Sequence, residues 1–381
     1  MANLAETSLA ETLRAALALP GWAAHLGGVD PAVARLADLP VLRKSGLPAM
    51  QKGAPPFAGF APGPAGFARL FASPGPIFEG MPDRPDPWRF APALREAGIG
   101  PGTILLNCLA YHLTPGGFIF DSAARSLGAA VIPGGPGNTE ALLHVLEAYR
   151  PTAYAGTPDF LKILLEAAGK AGLDASCLTR AVVSGAAFPP SLRDWVAGRG
   201  IAAIEAYGTA ELGLVAHTTA DGAAGMAVAP GILLEIVCPG TGEPLPEGEV
   251  GEVVVTIPDP AHPILRFSPG DMSAFLPGAT RIRGWMGRAD QTAKVKGMFV
   301  RPEQVAAISR AHPALGRLRL VITREGEVDA MCLLAEAEDA SMAAPLAATL
   351  HAATGLRGRV ELRPRGSLPT DGRVIADERP L

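Results

Sequence analysis

The chain has 381 residues, 48% of them hydrophobic and 18% charged, a balance that belongs to globular proteins with large cores and excludes a fibre, a disordered chain or a disulfide miniprotein. Its 33 basic and 37 acidic side chains give a net charge of −4, and no run of Lys or Arg appears, so the long-range attraction that drives nucleic-acid binding is missing. Four scattered cysteines, Cys108, Cys177, Cys238 and Cys332, fit neither a metal knuckle nor a disulfide framework and read as reduced thiols of a cytoplasmic protein.

Residues 1–22 have no basic start before their apolar part and carry Glu6 and Glu11, which predicts an amphipathic helix and not a signal peptide. Glycine and proline crowd together from Gly53 to Pro87, and the whole stretch is predicted as loop. The longest run without Asp, Glu, Lys or Arg, Ala97 to Phe120, is broken by Pro101, Asn107, His112, Pro115 and paired glycines; no membrane span is expected. Short apolar runs beginning near Ile104, Ala129, Thr152, Arg180 and Ala202 alternate with segments of helix length, which predicts a parallel sheet. Thr157 and Pro158 open one of those helices, with Phe160, Leu161, Leu164, Leu165 and Ala168 on one face; Asn138 and Glu140 open another.

From Gly231 the period changes to two and predicts an antiparallel β-rich subdomain. Beyond about Gly287 the pattern of strands and helices describes a compact α+β module of normal domain size. Residues 1–286 carry 19 basic and 25 acidic side chains against 14 and 12 in 287–381, a slight excess of cation in the smaller module.

Tyr207-Gly208-Thr209-Ala210-Glu211-Leu212-Gly213 follows a predicted parallel strand, at the carboxyl edge where open α/β sheets place ligands. Gly208 allows close backbone approach, Tyr207 offers a flat face, and Glu211 a carboxylate suited to a divalent cation. Arg266-Phe267-Ser268-Pro269-Gly270-Asp271 and the segment from Gly287 to Val305 come next. These three motifs, in this order, resemble those of the adenylate-forming acyl- and aryl-CoA ligases, in the branch typified by phenylacetate–CoA ligase. RLFASPGPIFEG, AYHLTPGG, GAAVIPGG, GTPDFLK, VSGAAFPPSLR and GSLPTDGRVIADER extend the likeness from about Leu39 to the end.

The resemblance implies an α/β protein in two parts. A large region, residues 1–286, would hold Rossmann-like, mostly parallel sheets and the β-rich subdomain near 225–286; a small hinged α+β lid, residues 287–381, would follow. It implies ATP/AMP, Mg²⁺ and coenzyme A as cofactors and a small aromatic or apolar carboxylic acid as partner, and leaves a homodimer open. Carried over by residue, Ser73 and Gly75 would lie near the triphosphate, Gly185 and Ala186 would flank adenine, Tyr207 would stack beside it, and Gly208 and Thr209 would also belong to the cofactor site. Glu211 would face Mg²⁺, Asp271 would hold the ribose hydroxyls, and Arg288 would contact ribose or phosphate. Asp290 would be the hinge, and Lys296, with Gly297 and Met298, would stand near the thiol entry.

Three departures stand out. The family's C-terminal lysine, after Leu-Pro and a Gly, is here Arg373, whose planar fork differs from a compact ammonium. The phosphate loop, SPGPIFEG, has one hydroxyl, two prolines without N–H donors, and the acidic Glu79. Ala210 replaces the Ser or Thr before the motif glutamate. Two readings follow: an AMP-forming acid–CoA ligase that makes an acyl-adenylate and then a thioester, and, as the alternative, a weakened homologue that binds nucleotide or acyl-adenylate. For the acid pocket the candidates are Tyr111, His112, Gly116, Gly117, Phe118 and Phe160, the two glycines opening space beside an apolar sheet edge. His217 is expected on a surface loop. Zinc spacing, a Gly-x-Ser-x-Gly elbow and a Walker loop are all lacking in the sequence.

Overall fold

A computed structural model describes residues 2–238, 241–286, 288–289, 293–296, 298–300, 302–326, 328–369 and 374–379. Asp290, Gly297 and Arg373, three of the residues singled out above, lie outside the described residues. The chain divides into two compact units, Met1–Trp285 and Met286–Leu381.

The larger unit is built on an eight-stranded sheet. Five short strands run parallel, in the order Ala202–Thr209, Arg180–Val183, Ala153–Gly156, Ile104–Asn107 and Ala130–Pro133. These are the runs that alternate with helices in the sequence. Because successive side chains point to opposite faces, Leu105, Ala153, Ala155 and Val182 pack with the helix Gly116–Ser126, while Leu106, Tyr154, Ala181 and Val183 pack with Pro158–Lys170 and Pro190–Ala197. Thr157 and Asn138 do stand at the N-caps of their helices, but neither side chain makes a capping hydrogen bond. The sheet then turns antiparallel through Gly213–His217, Met226–Val228 and Arg281–Ile282. His217 is therefore a buried strand residue and not a surface loop residue: its strand has an antiparallel neighbour on each side.

A second, five-stranded sheet forms the β-rich part. Leu233–Val237, Gly251–Ile257 and Ile264–Ser268 are antiparallel, Met272–Ser273 adds to the middle strand, and Leu42–Arg43 joins the edge in parallel. The helices Ala2–Leu17 and Pro20–Leu26 contribute Leu13, Trp22 and Leu26 to its core. The stretch from Gly53 to Pro87 is not all loop. Arg69–Ser73 and Ile77–Met81 form an antiparallel hairpin across a three-residue turn, with Phe71, Ser73, Ile77 and Met81 buried. The Gln51 amide clamps it, accepting from the Phe78 N–H at 2.8 Å and donating to the Phe78 carbonyl at 2.9 Å. Pro74 and Pro76 in the turn masked the period-two pattern of the strands on either side.

Arg266 ties this region together. Its guanidinium is almost fully buried, and its donors reach both oxygens of Glu235 at 3.0 and 3.1 Å and the carbonyls of Ala37, Leu39 and Gly242 at 3.1, 2.6 and 2.6 Å. One side chain thus joins the N-terminal segment, a strand and a turn through charge-assisted bonds.

In the smaller unit the strands Arg359–Arg363, Val328–Glu336, Leu318–Glu325 and Ile375–Asp377 form one sheet in that order. Ile308 of one helix and Leu346 and Leu350 of another pack on Leu320 and Leu333. A separate two-stranded hairpin pairs Ala293–Val295 with Met298–Val300.

Replacing Arg266 by Met leaves Glu235 and three carbonyls without their donor. Unfolding in urea is expected to show a loss of about 3–5 kcal/mol, the cost of breaking a buried pair from one side. A loss below about 1 kcal/mol would contradict its role as the anchor.

Candidate functional site

The motif turn is fixed first by the fold. The strand Ala202–Thr209 and its antiparallel partner slip register between Tyr207 and Gly208. A Cβ on Gly208 would meet the Phe90 ring and the Gly213 carbonyl at 2.6 Å, so the close approach needed there is to the protein's own core. Gly213 has φ +67 and would clash with the Trp88 carbonyl at 2.2 Å, a position open only to glycine. Trp88 and Arg89 clamp the turn from outside: the Trp88 indole donates to the Ala210 carbonyl at 2.8 Å and Arg89 donates to the Leu212 carbonyl. Thr209 Oγ1 accepts from the Leu212 N–H at 3.1 Å, closing the turn from within.

That turn brings two motifs together. The Tyr207 hydroxyl donates to Asp271 Oδ2 at 2.8 Å, and the indole N–H of Trp285 donates to Asp271 Oδ1 at 3.0 Å. Asp271 is buried and follows Arg266 by five residues, so the Arg266 anchor sets where its carboxylate is presented. Gly185 (φ +75) and Ala186 are exposed just past the end of Arg180–Val183, which lies beside the Tyr207 strand with Val183 opposite Glu205. Gly185, Ala186 and Tyr207 therefore share the carboxyl edge of the parallel sheet.

Glu211 points the other way. Its carboxylate is buried 2.7 Å from Lys44 Nζ, supplied by the short 3-10 turn after Leu42–Arg43. Glu79, from the hairpin strand, lies close enough that the two carboxyls repel, with Ser73 beside it. Burial, and then the Glu211 charge, pushes the Glu79 carboxyl up to about 8. Burial is the largest influence on Glu211 and acts in the same sense, but the Lys44 ammonium and the hydrogen bonds to the carboxylate, Thr209 among them, together hold Glu211 below the usual carboxylate range. Ser73 is buried at the end of its strand, and Gly75 is in the three-residue turn that follows it. Among the described residues no group of three His, Cys, Asp or Glu could hold a metal ion alone. One buried carboxylate with a second beside it suits Mg²⁺ in its common mode, in which substrate phosphates and water complete the coordination.

The acid-pocket candidates divide. A cavity of about 300 Å³ is lined by Tyr111 and Phe118, together with Arg69, Asp121 and Arg125. The Arg69 guanidinium lies 5.0 Å from the Phe118 ring centre. Asn107 donates to the Tyr111 hydroxyl at 2.8 Å, and that hydroxyl donates to Asp121 at 3.2 Å. Burial, and then Asp121, raises the Tyr111 phenol above its ordinary range. The room left by Gly117 is taken by Tyr111, whose ring would meet a Cβ there at 2.5 Å. Gly116 starts the helix that carries Phe118, His112 is exposed, and Phe160 packs against the sheet's other face. In the smaller unit Lys296 is exposed, with φ +47, and its N–H donates to Asp329 at 3.3 Å; Arg288 is half-buried. Lys44 and Trp285 were missed by the sequence reading. Scarcity was the only signal for Lys44, one of six lysines in the chain.

Residues 92–261 match the AMP-binding enzyme family. Phenylacetate–coenzyme A ligase of Thermus thermophilus is 32% identical over 254 residues, 63% of this chain and 57% of that protein. The Escherichia coli enzyme of the same name is 30% identical over 272 residues, 66% of this chain and 61% of that one. The chain thus spans less than two thirds of the length of these relatives. A crystal structure of 2-hydroxyisobutyryl-CoA ligase, in complex with its acyl-adenylate and CoA, superposes with a TM-score of 0.77 at 22% identity, covering 99% of this chain and 89% of that one, and shows the same fold. Residues 92–261 thus carry the AMP-binding enzyme match, and the relatives that the chain resembles are phenylacetate–CoA ligases. No helix among the described residues is long and apolar enough to cross a membrane.

The Glu79–Glu211 pair has a consequence for stability. Between an ordinary carboxyl value of 4.5 and about 8, folded Glu79 keeps a proton that the unfolded chain has released. The folded state binds more protons there, so this group's contribution is full below 4.5 and is lost as pH rises through about 8. Glu79→Gln keeps the neutral shape, and urea midpoints across that window should fall less steeply with rising pH than in the parent. Parallel curves would show that Glu79 is not the protonated partner.

Proposed function

We propose that the chain is an ATP-dependent carboxylic acid–CoA ligase that forms an acyl-adenylate and then an acyl-CoA thioester. The observation that carries this reading is the Tyr207–Asp271 hydrogen bond, which gathers an aromatic face and a buried acceptor carboxylate beside an exposed glycine turn. A nucleoside fits that set: a ring against Tyr207, ribose hydroxyls donating to Asp271, and the adenine edge at Gly185 and Ala186.

In the proposed first step a carboxylate oxygen of the acid attacks the α-phosphorus of ATP, and the bond to the bridging oxygen of pyrophosphate breaks. In the second, the thiol sulfur of CoA attacks the acyl carbon, AMP leaves with the bonding pair, and the thiol proton passes to solvent. Mg²⁺, when bound, neutralises phosphate charge, and Glu211 is the carboxylate that would hold it. Glu211 is paired with Lys44, so taking a cation at this carboxylate means loosening that pair, and the freed ammonium becomes a counter-charge for phosphate. This arrangement offsets a hairpin turn that, with Pro74 and Pro76, has fewer N–H donors than a glycine-rich loop. Ser73 and Gly75 would lie along the phosphates. Arg373 would supply the cation that lies between carboxylate and α-phosphate, with Arg288 at the ribose. Lys296 would stand at the thiol entry, and Asp290 would be the point about which the smaller unit turns between steps. The acid would enter beside Tyr111 and Phe118, and aromatic or medium-sized apolar acids are the proposed class.

The test is a panel of acids with ATP and CoA, following AMP and pyrophosphate. AMP release that depends on both acid and CoA is expected, and Arg373→Ala should abolish it. Asp271→Ala should weaken AMP binding at least tenfold, about 1.4 kcal/mol, as a lost bond to a charged acceptor requires. AMP binding without turnover of any acid would instead favour the weakened binding homologue.

A further inference from the structure

The small hairpin of the smaller unit carries a turn that its own strands do not hold. Val295 pairs with Met298, so the loop between them has two residues, of which Lys296 is the first. Lys296 has φ +47, the left-handed conformation for which such loops favour Asn, Asp or Gly and which costs a residue with a long side chain. Ala293, Val295 and Val300 are buried in the unit's core, whereas Lys296 and Met298 are exposed. Core packing therefore fixes the strands and leaves the turn to another restraint.

That restraint is a carboxylate from a different sheet. Asp329, near the start of Val328–Glu336, accepts from the Lys296 N–H through Oδ2 at 3.3 Å, and the same oxygen accepts from Arg379 at 3.0 Å. Its other oxygen accepts from the Arg324 fork at 3.4 Å. Arg324 lies directly opposite Asp329 on the neighbouring strand, and Arg379 follows Ile375–Asp377, where Asp377 Oδ1 accepts from its Nε at 2.8 Å. The side chains of Arg324, Asp329, Asp377 and Arg379 are only 10–17% exposed, so this cluster is largely out of water, where ionic hydrogen bonds hold their geometry. Two arginines fix the carboxylate, and the carboxylate fixes the backbone of Lys296. Three strands of the four-stranded sheet thus act through one hydrogen bond on a turn that belongs to a separate hairpin.

We propose that Asp329 is a positioning residue for the second step, holding the Lys296 turn in the conformation that admits the thiol. The assignment rests on the ligase reading, in which Lys296 stands at the thiol entry, and adds to it a residue that acts through Lys296. Its signature is selectivity between steps. The proposed adenylation cation, Arg373, belongs to the same unit, so a general loosening of that unit slows both steps, whereas release of the turn slows only the second.

The experiment measures the two steps apart on the full chain, with an acid that the parent accepts. Acid-dependent exchange of pyrophosphate into ATP, without CoA, reports the first, and thioester formation from the supplied acyl-adenylate and CoA reports the second. Asp329→Ala should lower kcat/KM for CoA at least about tenfold, the scale on which a small misplacement away from the reacting atoms costs rate, and leave exchange within about twofold of the parent. Asp329→Asn keeps the shape but has a single acceptor oxygen between donors on two sides, so it should lose the second step selectively and by less; it carries the test if Asp329→Ala does not fold. The assignment is overturned if the folded variants form thioester as fast as the parent, or if they lose both steps equally. A parent that turns over no acid overturns the ligase reading and this assignment with it, whereas an active parent with unaltered variants overturns this assignment alone.

Discussion

One hydrogen bond joins the two halves of the larger unit's chemistry. The Tyr207 hydroxyl comes from the end of a parallel-sheet strand, and the Asp271 carboxylate from the turn after a strand of the five-stranded sheet, 64 positions further along the chain. Everything upstream serves that meeting. Gly208 and Gly213 let the Tyr207 turn close against Phe90 and Trp88, and Arg266 pins the strand that leads to Asp271 against the N-terminal segment. Those close approaches bring together an aromatic face and an acceptor that belong to separate sheets.

Charge is arranged with the same economy around Glu211. Two buried carboxyls and one ammonium cannot all be charged at low cost, and the fold resolves this by pairing Lys44 with Glu211 while Glu79 keeps its proton. The short hairpin from Arg69 to Met81 gives up loop donors but brings Glu79 and Ser73 to the same place.

Much of this was legible in the sequence, for physical reasons. Five parallel strands announced themselves because each is a short apolar run between helices, and the strand around Tyr154, buried on both faces, had no room for a polar residue. Tyr207, Glu211 and Asp271 were visible as motif residues, though their partners were not: Lys44 and Trp285 reach the site through tertiary contacts that no local spacing encodes. The hairpin at 69–81 was read as loop because Pro74 and Pro76 dominate the local pattern, while its alternation spans only five residues on each side. His217 looked like a polar loop residue, yet it ends a strand whose five residues are all buried. Arg266 carries no local signal of its anchoring role, since its partners lie 24 to 229 residues away.

The central claim is that the acid's own oxygen becomes bonded to the α-phosphorus of ATP. The direct measurement is isotope transfer: an accepted acid carrying heavy oxygen in its carboxylate is turned over with ATP and CoA, and the AMP is analysed by mass. The account predicts one heavy oxygen in the AMP phosphate and none in pyrophosphate. Unlabelled AMP, or label appearing in inorganic phosphate alongside ADP, would contradict it.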